Sequence, residues 1–186
     1  AFPLKCRDFS KEKIDERVKS VSDTLRLSSF LNLPARKLTA DQKQLISLGR
    51  GLVREDVAGV LMDEPLTVID PDLKFRLRRN LKEINEQYKT TLVYVTHDQN
   101  EAMTFADNII AMDQGEIVQV GLPKDLFERP KTTFVGYFIG SPAMNIFESE
   151  VCSEYSVKIN NIEIKTNSNL TKIKDKNVKL GIRSEF

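Results

Sequence analysis

The sequence predicts an α/β protein: a parallel sheet flanked by helices, followed by the start of a small β domain. Three observations carry this. Helical and strand-like segments alternate through most of the first 120 residues. Two short apolar runs, 57–63 and 91–96, have the texture of buried parallel strands. After Ser141-Pro142 the pattern changes to short alternating segments such as Val157-Lys158-Ile159-Asn160 and Glu163-Ile164-Lys165-Thr166.

Each element has a local cause. Residues 10–31 read as an amphipathic helix, with Ser10 as cap and Ile14, Val18, Val21 and Leu25 on one face. Asn32, Pro34 and Thr39 mark a loop. A second helix starts near Asp41 and carries Leu45, Leu48, Leu52 and Val53. The first strand ends in Asp63. Asp70-Pro71 is a helix start, with Asp as cap and Pro at the first helical position. Leu73, Leu77, Leu81, Ile84 and Tyr88 then share one face. A second strand, 91–96, leads to Asp98 and Glu101, which have capping-box spacing for a helix to about Ala106. Two strands, 108–113 and 116–120, flank a turn at Gln114-Gly115. From Val151 onward there are seven Lys or Arg and four Asp or Glu, read as a solvated face. Domain organisation is therefore expected as 1–140 and 141–186.

Composition narrows the function classes. The 186 residues are 40% apolar and 30% charged, which excludes collagen-like and low-complexity chains. No apolar run approaches the roughly 18 residues that cross a bilayer. A formal charge of +1 gives no electrostatic case for nucleic acid. Cys6 and Cys152 are far apart in sequence, which argues for a reducing compartment, and a single His leaves too few ligands for a common zinc site.

Three segments can carry chemistry. The strand ending Asp63-Glu64 delivers two acids to the carboxyl edge of a parallel sheet, the usual ligand crevice. One acid can hold magnesium and the next can deprotonate a water attacking a terminal phosphate. The alternative is a solvated acidic turn. His97, the single His, ends the other strand and lies at the same edge if the two are parallel neighbours. It can then contact a γ-phosphate, or it can be structural. Leu38-Thr39-Ala40-Asp41-Gln42 opens the second helix, where free amides and a hydroxyl suit an anion or simply cap the helix.

In order, these segments resemble the nucleotide-binding subunit of ABC transporters, of the sugar and glycerol-phosphate importer type (maltose-importer-like). DEPLTVIDP resembles the Walker B strand with its D-loop, and YVTHDQNEAMTFAD the switch-histidine strand and helix. GYFIGSPAMN resembles the link to an OB-like regulatory domain, and LGIRSE a strand of that domain. LTADQK together with DEPLTVIDP is most similar to the glycerol-uptake branch. The resemblance implies a partial RecA-like P-loop NTPase domain. Its helical and signature region is expected at about 10–56 and its Walker B to switch-His region at about 57–140. It implies ATP and Mg2+ as cofactors, Asp63 organising the metal, Glu64 as general base and His97 touching the γ-phosphate and Glu64's water. Asp70 falls in the loop that crosses to a partner subunit. Leu38, Thr39, Ala40, Asp41 and Gln42 take the signature position, facing ATP held by that partner. The implied partners are a second ATPase subunit, two transmembrane permease subunits and, indirectly, a solute-binding protein. The implied location is peripheral, on the cytoplasmic face of the membrane, with coupling through the region near 10–36.

Two departures from the family pattern matter. The phosphate-cradling G-x-x-x-x-G-K-[ST] is absent from the sequence. The chain is therefore expected to be the C-terminal part of a longer subunit, inactive towards ATP by itself. Ala40 and Asp41 stand where the signature LSGGQ has two glycines. A Cβ obstructs close approach of backbone to phosphate, and a carboxylate repels it unless it turns to cap its own helix. The expectation is a pair of unlike ATPase subunits with one weakened composite site. Three rivals are a non-transport ABC ATPase, a non-catalytic ABC-type interaction or regulatory module, and an unrelated phosphate-binding α/β protein. The GSPAMN link and β-rich tail argue against the first. Intact Asp63, Glu64 and His97 argue against the second, which the altered signature favours. His97 and the 141–186 tail argue against the third.

Overall fold

The computed structural model describes residues 1–186 apart from 56, 89, 174 and 186, with the side chains of Ile84, Gln87 and Tyr88 also outside the described set. The chain forms two compact units, Ala1–Asp98 and Gln99–Phe186.

In the first unit a short helix α1 (Phe2–Lys5) precedes α2 (Lys11–Thr24). Ser10 caps α2 by accepting from the Lys13 amide at 3.3 Å. The expected helix to residue 31 is shorter by a turn and more: Arg26 takes a left-handed φ of 55°, which ends the α-helical run. Ser28–Phe30 and Ala35–Lys37 are then single 3-10 turns. Helix α3 (Ala40–Leu52) follows. It buries Leu45, Leu48 and Leu52. At Gly49 it runs close to the α2 side, where an added Cβ would lie 3.2 Å from a Leu25 methyl. Buried Arg17 of α2 donates to the carbonyls of Leu52 and Val53 at 2.9 and 3.1 Å and pairs with Glu55 at 3.0 Å. A cation thus satisfies the orphan acceptors at the C-terminus of α3.

Strand β1 (Gly59–Asp63) pairs in parallel with β2 (Thr91–Val95), and α4 (Pro71–Tyr88) is the crossover between them. Helix α4 starts as expected, with Asp70 accepting from the amides of Asp72 and Leu73 at 3.0 and 3.4 Å. Leu77 and Leu81 are fully buried; the expected face also included Ile84 and Tyr88, whose side chains lie outside the described residues. The strands are less buried than their apolar texture predicts, with Leu61 80% exposed. Apolar texture records what a strand needs to cover; these residues leave one side of it uncovered.

In the second unit α5 (Gln99–Phe105) leads to β3 (Ile109–Asp113), which forms an antiparallel hairpin with β4 (Glu116–Gly121). Gln114 and Gly115 have φ of 48° and 85°, the left-handed pair that a tight hairpin turn demands. The third strand of the alternating series thus belongs to a hairpin rather than to the β1–β2 pair. Helices α6 (Pro123–Glu128) and α7 (Thr133–Phe138) follow. They close a core of Ile109, Ala111, Leu126, Val135 and Ile139. Strands β5 (Asn145–Ser153), β6 (Ser156–Ile159), β7 (Ile162–Lys165) and β8 (Asn177–Ile182) make an antiparallel sheet in the order β7-β6-β5-β8. This is the small β region the tail predicted. Arg183, 5% exposed, donates to the carbonyls of Ile139 and Phe127 and lies over the Phe127 ring.

Candidate functional site

Parallel pairing brings both strand ends to one edge. Asp63 is in register with Val95, and the Glu64 amide donates to the Val95 carbonyl at 2.9 Å, extending the ladder by one residue. Glu64 then turns with a φ of 47°, rare for a residue with a Cβ. His97 follows β2 by two residues and meets it. Glu64 Oε1 accepts from the His97 amide at 3.0 Å and lies 2.5 Å from His97 Nδ1. An approach that close to an ionised carboxylate calls for a proton on Nδ1. The other oxygen, Oε2, accepts from the Thr67 hydroxyl at 2.8 Å. Thr67 Oγ1 is also 3.2 Å from the Glu64 carbonyl, but it has one proton, and the nearer, charged oxygen takes it.

Burial by itself pushes the Glu64 carboxyl up, but the hydrogen bonds from the His97 ring, the Thr67 hydroxyl and the His97 amide outweigh it and hold the group below its ordinary range. A depressed folded-state pKa stabilises the fold above the unfolded value and loses that effect as pH falls through the folded one. The stability difference between wild type and Glu64→Gln should therefore shrink as pH falls below about 4.3. Chemical denaturation at a series of acid pH values measures this; a difference that grows there contradicts the assignment.

Asp63 ends β1 with an exposed side chain, as a hard oxygen donor at the sheet edge. Among the described residues no group of three or more His, Cys, Asp and Glu side chains gathers as a metal cage. As a single exposed carboxylate, Asp63 fits a magnesium that would take most of its ligands from nucleotide and water.

At the mouth of α3, Thr39 and Gln42 form a capping box, with the Thr39 amide donating to Gln42 Oε1 at 3.1 Å. The Thr39 hydroxyl donates to Asp41 Oδ1. That bond holds the Asp41 carboxyl below its ordinary range. Asp41 is thus ionised within the first turn, held by its own segment, and Leu38 is buried. Asp70 serves as the cap of α4.

Two residues that the sequence did not single out join these parts. Thr67 binds Glu64 from three positions along. Gln44 reaches from α3, its Nε2 donating to the carbonyls of Glu64 at 3.2 Å and Pro65 at 3.1 Å. The Thr67 spacing was a visible signal; Gln44 had none, because its partners are main-chain atoms some twenty residues away.

The chain is 42% identical over 165 residues to the trehalose/maltose import ATP-binding protein MalK of Thermococcus litoralis, covering 89% of this chain and 44% of that protein. It is 39% identical over 201 residues to the multiple sugar-binding transport ATP-binding protein MsmK of Streptococcus mutans, covering 100% of this chain and 53% of the relative. The chain is thus similar to import ATP-binding proteins along most or all of its own length. Another relative, the sn-glycerol-3-phosphate import ATP-binding protein UgpC of Brucella abortus, is 44% identical over 149 residues, covering 80% of this chain and 42% of that protein. The chain spans about half the length of the curated relatives it matches. No protein-family model matches it. Its fold is that of an ABC cassette: the crystal structure of the ADP conformation of an ATP-binding cassette of an ABC transporter aligns with a TM-score of 0.56 at 22% identity, over 68% of this chain and 51% of that one.

Proposed function

We propose that the full-length protein is the ATP-hydrolysing subunit of an ABC importer for sugars, glycerol or glycerol phosphate. The observation that carries this is the Glu64 carboxylate at the carboxyl edge of the parallel pair, ionised and aimed by His97 and Thr67. In this reading the Glu64 carboxylate takes a proton from the attacking water. His97, whose Nδ1–H is committed to Glu64, turns the rest of an imidazole that is 75% exposed towards the γ-phosphate. Asp63 holds the magnesium, which supplies charge neutralisation on the phosphates when bound. Asp70 lies in the segment that meets a partner subunit. Residues 38–42 face the nucleotide held by that partner. The residues named here supply only part of the phosphate contacts that a hydrolysing site needs. Residues 1–140 act as the ATPase portion and 141–186 as the start of an OB-like regulatory domain. The relatives' import names support two permease subunits and a solute-binding protein as partners, with peripheral attachment at the cytoplasmic face of the membrane. No helix among the described residues is long and apolar enough to cross a membrane.

A second reading, a non-catalytic ABC-type module, draws on Asp41. Its carboxylate takes the Thr39 hydroxyl proton that a phosphate would otherwise receive. Asp41→Gly should free that hydroxyl and remove the charge, raising turnover of the assembled ATPase pair by roughly tenfold. Steady-state phosphate release measures it, and equal turnover removes Asp41 as the weak point. The function itself is tested by Glu64→Gln in the full-length protein. Lost turnover with nucleotide retained supports the enzyme, unchanged turnover overturns Glu64 as its base, and a wild type that turns over no ATP leaves the module.

A further inference from the structure

Glu64 sits in a backbone conformation that side-chain-bearing residues rarely adopt, with a φ of 47°. Such a conformation is strained and persists only where its surroundings hold it. Part of the hold comes from within the turn, where the Glu64 carbonyl accepts from the Thr67 amide at 3.4 Å. The other part comes from another element. Gln44 Nε2 has two protons, and the two successive carbonyls of Glu64 and Pro65 lie 3.2 and 3.1 Å from it.

Gln44 belongs to α3, two residues after Gln42 and one before buried Leu45. Its backbone is fixed on one side by the capping box of Thr39 and Gln42 and on the other by the packing of Leu45 and Leu48. The helix is therefore a stiff link. One end presents the Leu38 to Gln42 segment, and the side chain of Gln44 grips the main chain that aims Glu64.

We infer that Gln44 is a positioning residue for Glu64: its amide clamps the carbonyls of residues 64 and 65 and sets the carboxylate by the placement of the helix that opens at Thr39. This rests on the reading of Glu64 as general base. A ligand that shifts the first turn of α3 moves the base through this clamp, while nucleotide contacts made elsewhere are untouched.

Two variants in the full-length protein probe it. Gln44→Met keeps length and shape but has no donor. Gln44→Glu keeps shape and turns lone pairs towards both carbonyls. Both should lower kcat, Met at least about tenfold and Glu further. KM for ATP and retention of Mg-ATP on a filter should stay within about twofold. In a Glu64→Gln background the Gln44→Met change should leave the residual rate unaltered, because the group it positions is gone. A purely structural role would instead lower nucleotide retention, or would cut the residual rate equally in both backgrounds. Either result overturns the proposal, as does a normal kcat in both single variants. Normal kcat in Glu64→Gln alone overturns the base assignment itself, which separates that failure from one confined to Gln44.

Discussion

Glu64→Gln in the full-length protein is expected to lower steady-state ATP turnover by about 10²- to 10⁴-fold, the usual contribution of a positioned general base. The substitution is clean for a local reason. Oε1 of Glu64 accepts from two His97 groups, neither of which can serve as an acceptor while protonated, and Oε2 accepts from the Thr67 hydroxyl. A glutamine can direct its oxygen to His97 and its amide nitrogen to Thr67, because a hydroxyl can turn and accept. The geometry then survives and only the charge and basicity are lost. Phosphate release with parallel filter retention of Mg-ATP measures both halves of the expectation. Turnover that survives the change shows that Glu64 is not the general base.

The second large effect concerns stability. Arg183→Met should destabilise the second unit by roughly 3 kcal/mol, because two carbonyls lose a charged donor in a buried place. Arg183 is 5% exposed, donates to the Phe127 carbonyl at 2.9 Å and to that of Ile139, and its guanidinium lies 4.3 Å from the centre of the Phe127 ring. Methionine fills much of the same space, so the packing loss is modest and the unmet carbonyls dominate. Burial also pulls the Arg183 guanidinium below its ordinary value. For a cooperative unit of about 150–250 residues the expected fall in Tm is roughly 10 °C. Thermal unfolding of the full-length protein followed by circular dichroism measures it. An unchanged Tm means that water satisfies the carbonyls and that Arg183 is replaceable packing.

What could be read from the sequence was what is encoded locally. Asp70-Pro71 announces its helix because cap and first-turn proline act over three residues. Gln114-Gly115 announces a hairpin because only a pair tolerant of positive φ fits the turn. Glu64 and His97 could be paired because parallel neighbours end at one edge, so two strand-end residues far apart in sequence share a place. Elsewhere the causes were not local. The end of α2 depends on Arg26 accepting a left-handed φ, which nothing about arginine foretells. The exposure of Leu61 depends on what covers β1, a matter of tertiary supply rather than strand texture. Gln44 was invisible because a glutamine on a half-buried helix face is ordinary until its amide is seen to meet two carbonyls of another element.

The Arg183 contacts also set an order of events during synthesis. The carbonyls of Ile139 and Phe127 leave the ribosome 44 and 56 residues before the arginine that satisfies them. At roughly 5–20 residues per second that interval lasts about 2–11 s. The hairpin and helices α6 and α7 can condense during it, but their loops must rely on water for those acceptors. A nascent second unit is therefore finished late, by one side chain, and a pause or premature stop before the Arg183 codon leaves a species whose core is formed and whose fastening is absent.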